Sequence, residues 1–490
     1  MNGKYEPVIG LEVHAQMLTA SKAFCGCSTK FGKEPNTNVC PVCLGMPGTL
    51  PVLNRDVVEF VLRMGIAVGC TIAPRSVFAR KNYFYPDLPK GYQISQYEEP
   101  ICTGGLVTID LEDGSTREIG LTRIHMEEDA GKSIHDVGAE TLVDVNRCGV
   151  PLIEIVSEPE IRSPGEAHAY LTRIRQLVTY LGICDGNMEE GSLRCDANVS
   201  VRLKGERAYG TKTEVKNMNS FRNVERALAY EINRQIGLLE DGGHVVQETM
   251  LWDADRNLAA PMRSKEEAHD YRYFPDPDLV PVSVNEAWIA RVRASLPELP
   301  AVRRDRFIAG LGLPRYDADL LTGERPVADY FEAVLEQLNS LGLKDPKENA
   351  KSASNWVMTE VLRALGERKE TVAAFPIAPA RLGILIGMVQ EGTLSGTAAR
   401  QLFAKMLTDP GDPHALVRQQ GLAQVSDRDA IAQVIDEVLN ANPQQVAKYL
   451  GGGEKVFGYF VGESMRRMGG KGNPNMINEI LRAKLNQRRT

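Results

Sequence analysis

Eleven consecutive residues, Leu193 to Leu203, alternate without a break between apolar and polar side chains. Leu193, Cys195, Ala197, Val199, Val201 and Leu203 fall on one side; Arg194, Asp196, Asn198, Ser200 and Arg202 fall on the other. A period of two over this length fits only a β-strand with one face in a core. A slip of one residue would carry every charge into that core, so the pattern itself fixes the register. The outer face is not an ordinary solvated one, which favours Thr, Lys and Glu. Arg, Asp, Asn and Ser in succession make a set able to hold a hard cation and an anionic ligand.

Three other strings carry the same kind of face. In Gly10 to Gln16, Leu11, Val13 and Ala15 alternate with Glu12, His14 and Gln16. Glu12 and His14 project side by side, within reach of one divalent ion, although taken alone a hydrogen-bonded core histidine explains them as well. In Thr122 to Gly131 (TRIHMEEDAG), strict alternation directs Arg123, His125 and Glu127 to one face and Glu128 to the other. Thr211 to Ser220 supplies Lys212, Glu214 and Lys216 on one face, then Asn219 and Ser220 at a helix start that suits an anion. Carboxylates for magnesium beside lysines and a helix amino end for phosphate are what phosphoryl transfer requires, since that chemistry is mostly positioning and charge neutralisation. Residues 80–96 and 271–278 mix aromatics with Arg and Lys. They read either as a clamp stacking on a nucleotide base or as a packed, Pro-bent loop.

Cys25 and Cys27 form a CxC, and Cys40 and Cys43 a CxxC. Four thiolates at this spacing match a tetrahedral zinc site with no open position, hence a structural knuckle over 25–43. The amino-terminal stretch has no basic region followed by an apolar run, and no 18-residue apolar stretch occurs, so a cytoplasmic protein with reduced thiols and no membrane association is expected.

At 490 residues the chain is too long for one core. Up to about residue 290, short alternating runs mix with two helices and no regular βαβ alternation, which predicts an α+β unit with a mainly antiparallel sheet. Ser163, Pro164 and Glu166 mark the start of the first helix, ended by Gly182; the second starts near Asn219 or Ser220 and stops before Gly242. Beyond a linker at Leu296 to Arg304 the segments read as helices, among them Ala328–Leu341 and Ser352–Ala364, a further one from near Ser426, then Val456–Met468 and Asn475–Leu485. The predicted division is a catalytic unit over 1–292, an all-α unit over 293–407 and a small α-helical tail over 408–490. Net charge is -7, yet from Lys455 onward eight Lys or Arg face two Glu, leaving the first 454 residues at -13. A basic tail on an acidic body points to a polyanion at that end.

The strings VIGLEVHAQ, RKNYFYPDLPKGYQISQ, HMEEDAGK, VDVNRCGVPLIEIVSEP, MEEGSLRCDANVSVR and DYRYFPDPDL, with NPNMINEILRAKL near the end, closely resemble the B subunits of bacterial tRNA-dependent amidotransferases. That resemblance implies a catalytic cradle similar to glutamine synthetase, followed by a helical domain and a tail that contacts tRNA. It implies ATP- and magnesium-dependent phosphorylation of the side-chain carboxylate of Glu-tRNA(Gln) or Asp-tRNA(Asn), then displacement of phosphate by ammonia. The partners implied are a glutaminase (A) subunit and a small C subunit. Glu12, His14, Glu128 and Glu214 are implied as the catalytic metal site, with Asp196 close by and Lys81 near the nucleotide phosphates. Here pattern and family disagree: alternation favours Glu127, the resemblance Glu128, and a bulge near Met126 would reconcile them. Lys216, Asn219, Ser220, Arg194 and Asn198 are the further nucleotide- or substrate-side candidates. The zinc knuckle varies among members of the family, which fits a structural role.

Two rivals follow from the same residues. One is a freestanding ATP-dependent amide ligase for a small amino acid, which leaves the basic tail without work. The other is a tRNA-binding scaffold whose polar strand faces are hydrogen-bond networks. The chain shows no amidase-like Ser- and Gly-rich segment, so ammonia is expected from a partner.

Overall fold

The computed structural model of the protein describes residues 3–134, 140–262, 271–424 and 427–488. It divides into two compact units, Met1–Pro300 and Ala301–Thr490.

The first unit is built on one large sheet. Its centre is the strand Tyr5–Gln16, paired antiparallel with Leu193–Leu203 on one side and Pro151–Ser157 on the other. Pro151–Ser157 pairs in turn with Thr116–Glu128, and Leu193–Leu203 with Thr213–Lys216. Thr213–Lys216 and Thr249–Asp253 run parallel, the exception in a mainly antiparallel sheet.

One face of this sheet is covered and the other is not apolar. Leu11, Val13 and Ala15, with Cys195, Ala197, Val199 and Val201, are buried in one cluster with Leu171, Ile174 and Val178 of helix Pro164–Tyr180 and Val224, Leu228 and Ile232 of helix Phe221–Glu240. Each fully buried aliphatic side chain stabilises by about 1.5–3 kcal/mol, so together they lock the register and leave the alternate residues on the opposite face.

Both helices begin where their caps predict. Ser163 Oγ accepts the Glu166 backbone N–H, and Ser220 Oγ accepts that of Asn223. Glu166 does reach back, but to the N–H of Arg162 rather than to that of the cap residue. Gly182, at φ +66°, ends the first helix in a left-handed conformation that favours glycine.

A smaller three-stranded sheet joins the two aromatic and basic strings. Ala79–Asn82 pairs with Tyr92–Ser95 and with Phe274–Pro275. Arg80 fastens it, donating to Asp276 at 2.8 Å and to Asp278 at 2.7 Å. Asp270, at the head of the DYRYFPDPDL string, lies outside the described residues.

The second unit is helical and holds two separate cores. One runs from Phe307 to Val417; the other gathers Ile431, Ile435, Leu439, Phe460, Ile477, Leu481 and Leu485. The first of these cores takes in Leu416 and Val417, beyond residue 407. Ser426 is outside the described residues, and the helix expected there occupies Arg428–Ala441. The segment read as Ser352–Ala364 is an α-helix, Pro346–Trp356, one π turn at Val357–Val361, and a second α-helix, Leu362–Arg368. No helix among the described residues is long and apolar enough to cross a membrane.

Candidate active site

The polar face of the large sheet carries a continuous row of ionisable groups. In the strand register Arg194 stands opposite His14, His14 opposite Glu154, and Glu154 opposite His125. Directly opposed residues share a face, so these four line up across four strands. The next row sets Asp196 beside Glu12, and the one beyond sets Glu214 beside Asn198.

His14 is the centre of the row. Its Nε2 lies 3.5 Å from Glu127 Oε1 and 3.4 Å from Glu154 Oε2. Burial disfavours its charged form, but the hydrogen bond to Glu154 and the charges of Glu154, Glu127 and Asp196 prevail, and its pKa rises to about 9. Glu154 is driven the other way: burial would raise it, and the two neighbouring imidazoles, His125 and His14, hold it well below the usual carboxylate range. The Glu12 carboxyl is pushed up by burial and by Glu154, Glu214 and Asp196, with His14 opposing. A carboxylate crowded by others is relieved when a divalent cation enters.

Donor atoms of His14, Glu127 and Glu154 all lie within 4.8 Å of one another. One imidazole and two carboxylates suit a hard divalent cation, and the adjoining Glu12, Asp196 and Glu214 extend the acidic surface. Asn198 Nδ2 donates to Glu12 Oε1 at 2.8 Å, while Lys216 Nζ reaches Asp196 at 2.6 Å and Glu214 at 2.9 Å. Lys81 reaches the same face from the small sheet. Burial pulls its ammonium down, but Glu127, Tyr273 and Glu154 outweigh that and raise its pKa. Lys81 Nζ also sits 4.9 Å from the centre of the Tyr271 ring, within an aromatic group in which Tyr97 and Tyr273 stack at 4.1 Å.

The two glutamates of the HMEED string part company. Pairing with Pro151–Ser157 runs in unbroken register from Arg123 to Glu128, so the bulge expected near Met126 does not form there. The irregularity falls instead between Val156 and Ser157, opposite Thr122. Alternation therefore holds: Glu127 joins His14, and its Oε2 accepts from Ser95 Oγ at 3.3 Å. Glu128 turns to the far side, buried and ion-paired with Lys90, and accepts the Ile94 backbone N–H at 2.9 Å. It lines a cavity of about 200 Å³ with Cys25, Cys43, Lys90 and Arg80, away from the His14 group. The expectation that Glu128 reaches that group is thereby corrected.

Glu154 joins the group without having been singled out by its sequence pattern. Its signal is a single carboxylate inside the apolar run PLIEIVS, a charge that a fully buried strand would not carry. Asp129 is a second such addition; buried, it gathers Gln16 Nε2 at 2.9 Å, Arg194 Nη2 at 3.0 Å and Arg147 Nε at 3.4 Å. Gln16, Arg147, Arg194 and Asp196, with Lys30, Lys132 and Asn219, border a cavity of about 620 Å³, ample for a nucleotide-sized ligand. Ser220 is not among its lining residues, its hydroxyl being committed to the helix cap.

The four cysteines converge as their spacing predicts. Cys25, Cys27, Cys40 and Cys43 bring their sulfurs within 4.8 Å of one another. The Leu44 N–H bonds the Cys40 carbonyl at 3.1 Å, and Gly45 follows at φ +66°, where a Cβ would collide with the Lys90 side chain. Lys22, fully buried, donates to the Asn38 carbonyl at 2.8 Å and approaches Cys43 Sγ at 3.7 Å. The Cys25 thiol is pushed up by its bond to Cys43; that bond, the Cys40 N–H and Lys22 push the Cys43 thiol down against burial. A set of four sulfurs with a cation beside it fits zinc.

The site is the acidic face of a mainly antiparallel sheet whose other face is covered by helices, with Lys81 reaching it from the small sheet. The chain belongs to the GatB family: residues 7–290 match the GatB/GatE catalytic domain, and residues 329–485 match the GatB domain. It is 59% identical over 481 residues to the B subunit of the aspartyl/glutamyl-tRNA(Asn/Gln) amidotransferase of Chlorobium phaeobacteroides (strain BS1), covering 98% of this chain and 99% of that one. Proteins of the same name from Chlorobium limicola, at 59% over 482 residues, and Chlorobaculum tepidum, at 58% over 481, match with the same coverage.

Proposed function

We propose that this chain activates the side-chain carboxylate of glutamate or aspartate carried on tRNA, using ATP, so that ammonia can convert it to the amide. The observation that carries this reading is the His14, Glu127 and Glu154 group, three ligands within 4.8 Å on a polar sheet face. When bound, ATP would supply the phosphoryl group, leaving as ADP, and magnesium would neutralise the charge; the carboxylate would become an acyl phosphate from which ammonia displaces phosphate.

The chain's own residues do the rest. His14, Glu127 and Glu154 hold the ion, with Glu12, Asp196 and Glu214 on its flank. Lys81 and Lys216 neutralise phosphate charge, and Asn198 keeps Glu12 in place. Arg194, pinned by Asp129, presents its guanidinium to the larger cavity, where a carboxylate or phosphate accepts it. Asn219 borders that cavity from the start of its helix; Ser220 acts only through the cap.

The four cysteines hold structural zinc that stiffens the loop bordering this cavity. The division of labour is a catalytic cradle, then a helical domain whose core extends to Val417, then a tail with its own core from Ile431 onward that meets tRNA. Ammonia arrives from a glutaminase (A) subunit, with a small C subunit completing a heterotrimer. A cytoplasmic location fits work on aminoacyl-tRNA. The relatives' shared name supports the substrate class.

The test is amide formation by the purified complex given ATP, magnesium, an ammonium salt and either glutamyl-tRNA or aspartyl-tRNA. Product with at least one of the two supports the reading. Turnover of free glutamate and of neither tRNA contradicts it, and favours the freestanding ligase.

A further inference from the structure

His125 holds no place in the chemistry assigned above, although it is almost completely buried, at 2% exposure. It faces Glu154 across the pairing of two strands, with Nε2 at 3.2 Å from Glu154 Oε2. His14 Nε2 meets that same oxygen at 3.4 Å from the other side. Glu154 is thus clasped between two imidazoles in one cross-strand row. The other nitrogen of His125, Nδ1, is buried and has no hydrogen-bond partner among the described residues. A ring kept only for packing would be replaced at no loss by an apolar one, since an unpaired buried nitrogen is costly. What His125 gains in this position is the contact to Glu154. It is not itself one of the convergent donors, which are His14, Glu127 and Glu154.

We propose that His125 is a positioning residue: its Nε2 fixes the orientation of Glu154 and so sets the affinity of the His14, Glu127 and Glu154 group for a divalent cation. This rests on the reading of that group as a cation site. A glutamate side chain has several rotamers available, and a hydrogen bond from a buried, immobile ring selects one. Residues that hold a metal ligand in this way typically change affinity by roughly 10- to 100-fold when removed. Geometry also separates the two ring nitrogens. A glutamine amide nitrogen reaches the position of the histidine Nε2, whereas an asparagine amide nitrogen reaches only that of Nδ1.

The test uses Mn²⁺ as probe, titrated by calorimetry into the assembled complex in the absence of nucleotide and tRNA. The expected result is a roughly 10- to 100-fold weaker affinity for His125→Ala, largely restored in His125→Gln and not in His125→Asn. Equal affinity of the Ala variant and the wild type overturns the proposal. So does equal weakening in the Gln and Asn variants, which a purely structural role predicts and which remains readable if the Ala variant fails to fold. His14→Ala tests the underlying site separately. A wild type that does not bind Mn²⁺, or a His14→Ala variant that binds it as tightly, overturns the cation site and this inference with it.

Discussion

Two adjacent glutamates in one strand have opposite fates, and the difference yields a sharp single-residue prediction. Glu127 faces His14; Glu128 faces Lys90, and both partners of that second pair are buried. Removing one member of a buried ion pair leaves an uncompensated charge and costs about 3–5 kcal/mol. Glu128→Gln should therefore lower the thermal midpoint clearly while leaving Mn²⁺ affinity close to wild type. Glu127→Gln should instead lose at least tenfold in Mn²⁺ affinity, because it removes a donor from the His14 group. Calorimetric titration and a thermal melt on the same samples decide; the opposite assignment of the two effects would refute the geometry. Alternation in the sequence points Glu127 to the face it occupies, because the register from Arg123 to Glu128 is uninterrupted. Glu154 is harder to see, since its partners lie on strands distant in sequence and only the strand order brings His14 and His125 to it.

Elements are legible where local chemistry alone decides them. Ser163 and Ser220 cap their helices, and Ser163→Ala should cost about 1 kcal/mol, measured by denaturant unfolding, without altering metal affinity. The π turn at Val357–Val361 is not legible in the apolar periodicity, which runs on through it as one helix. Glu360 is buried there and accepts from Arg363 at 2.6 Å and Arg400 at 3.0 Å, the latter from a different helix. The cysteine knuckle is legible because spacing fixes it, and its role is tested by removing metal. Chelation, or Cys40→Ser, should make the loop between Phe24 and Gly48 sensitive to limited proteolysis and weaken nucleotide binding, since Thr29 to Lys33 border the larger cavity. Mn²⁺ binding at His14 should survive. Unchanged proteolysis after zinc is stripped would deny the knuckle a structural role.

At the scale of the whole molecule, three cores allow labour to be divided along the chain. Charge separation points to the tail as the polyanion-facing part, but not to where it begins. Leu416 and Val417 belong to the core before it, so a deletion from 408 strips buried residues, whereas one from 427 spares them. Deleting 427–490 should raise the apparent KM for aminoacyl-tRNA and flatten its dependence on salt, and should leave Mn²⁺ affinity intact. An unchanged KM would refute the tail's assignment. Carboxylate activation on the polar sheet face and a merely hydrogen-bonded scaffold there differ in what they require of ATP. The most direct test is phosphate release from ATP by the assembled complex on aminoacyl-tRNA, comparing wild type with Glu12→Ala and Glu127→Gln. Carboxylate activation on this face predicts tRNA-dependent release in the wild type and a loss of roughly a hundredfold or more in both variants, at least the contribution typical of a metal-ion catalyst; release at the wild-type rate from either variant would contradict it.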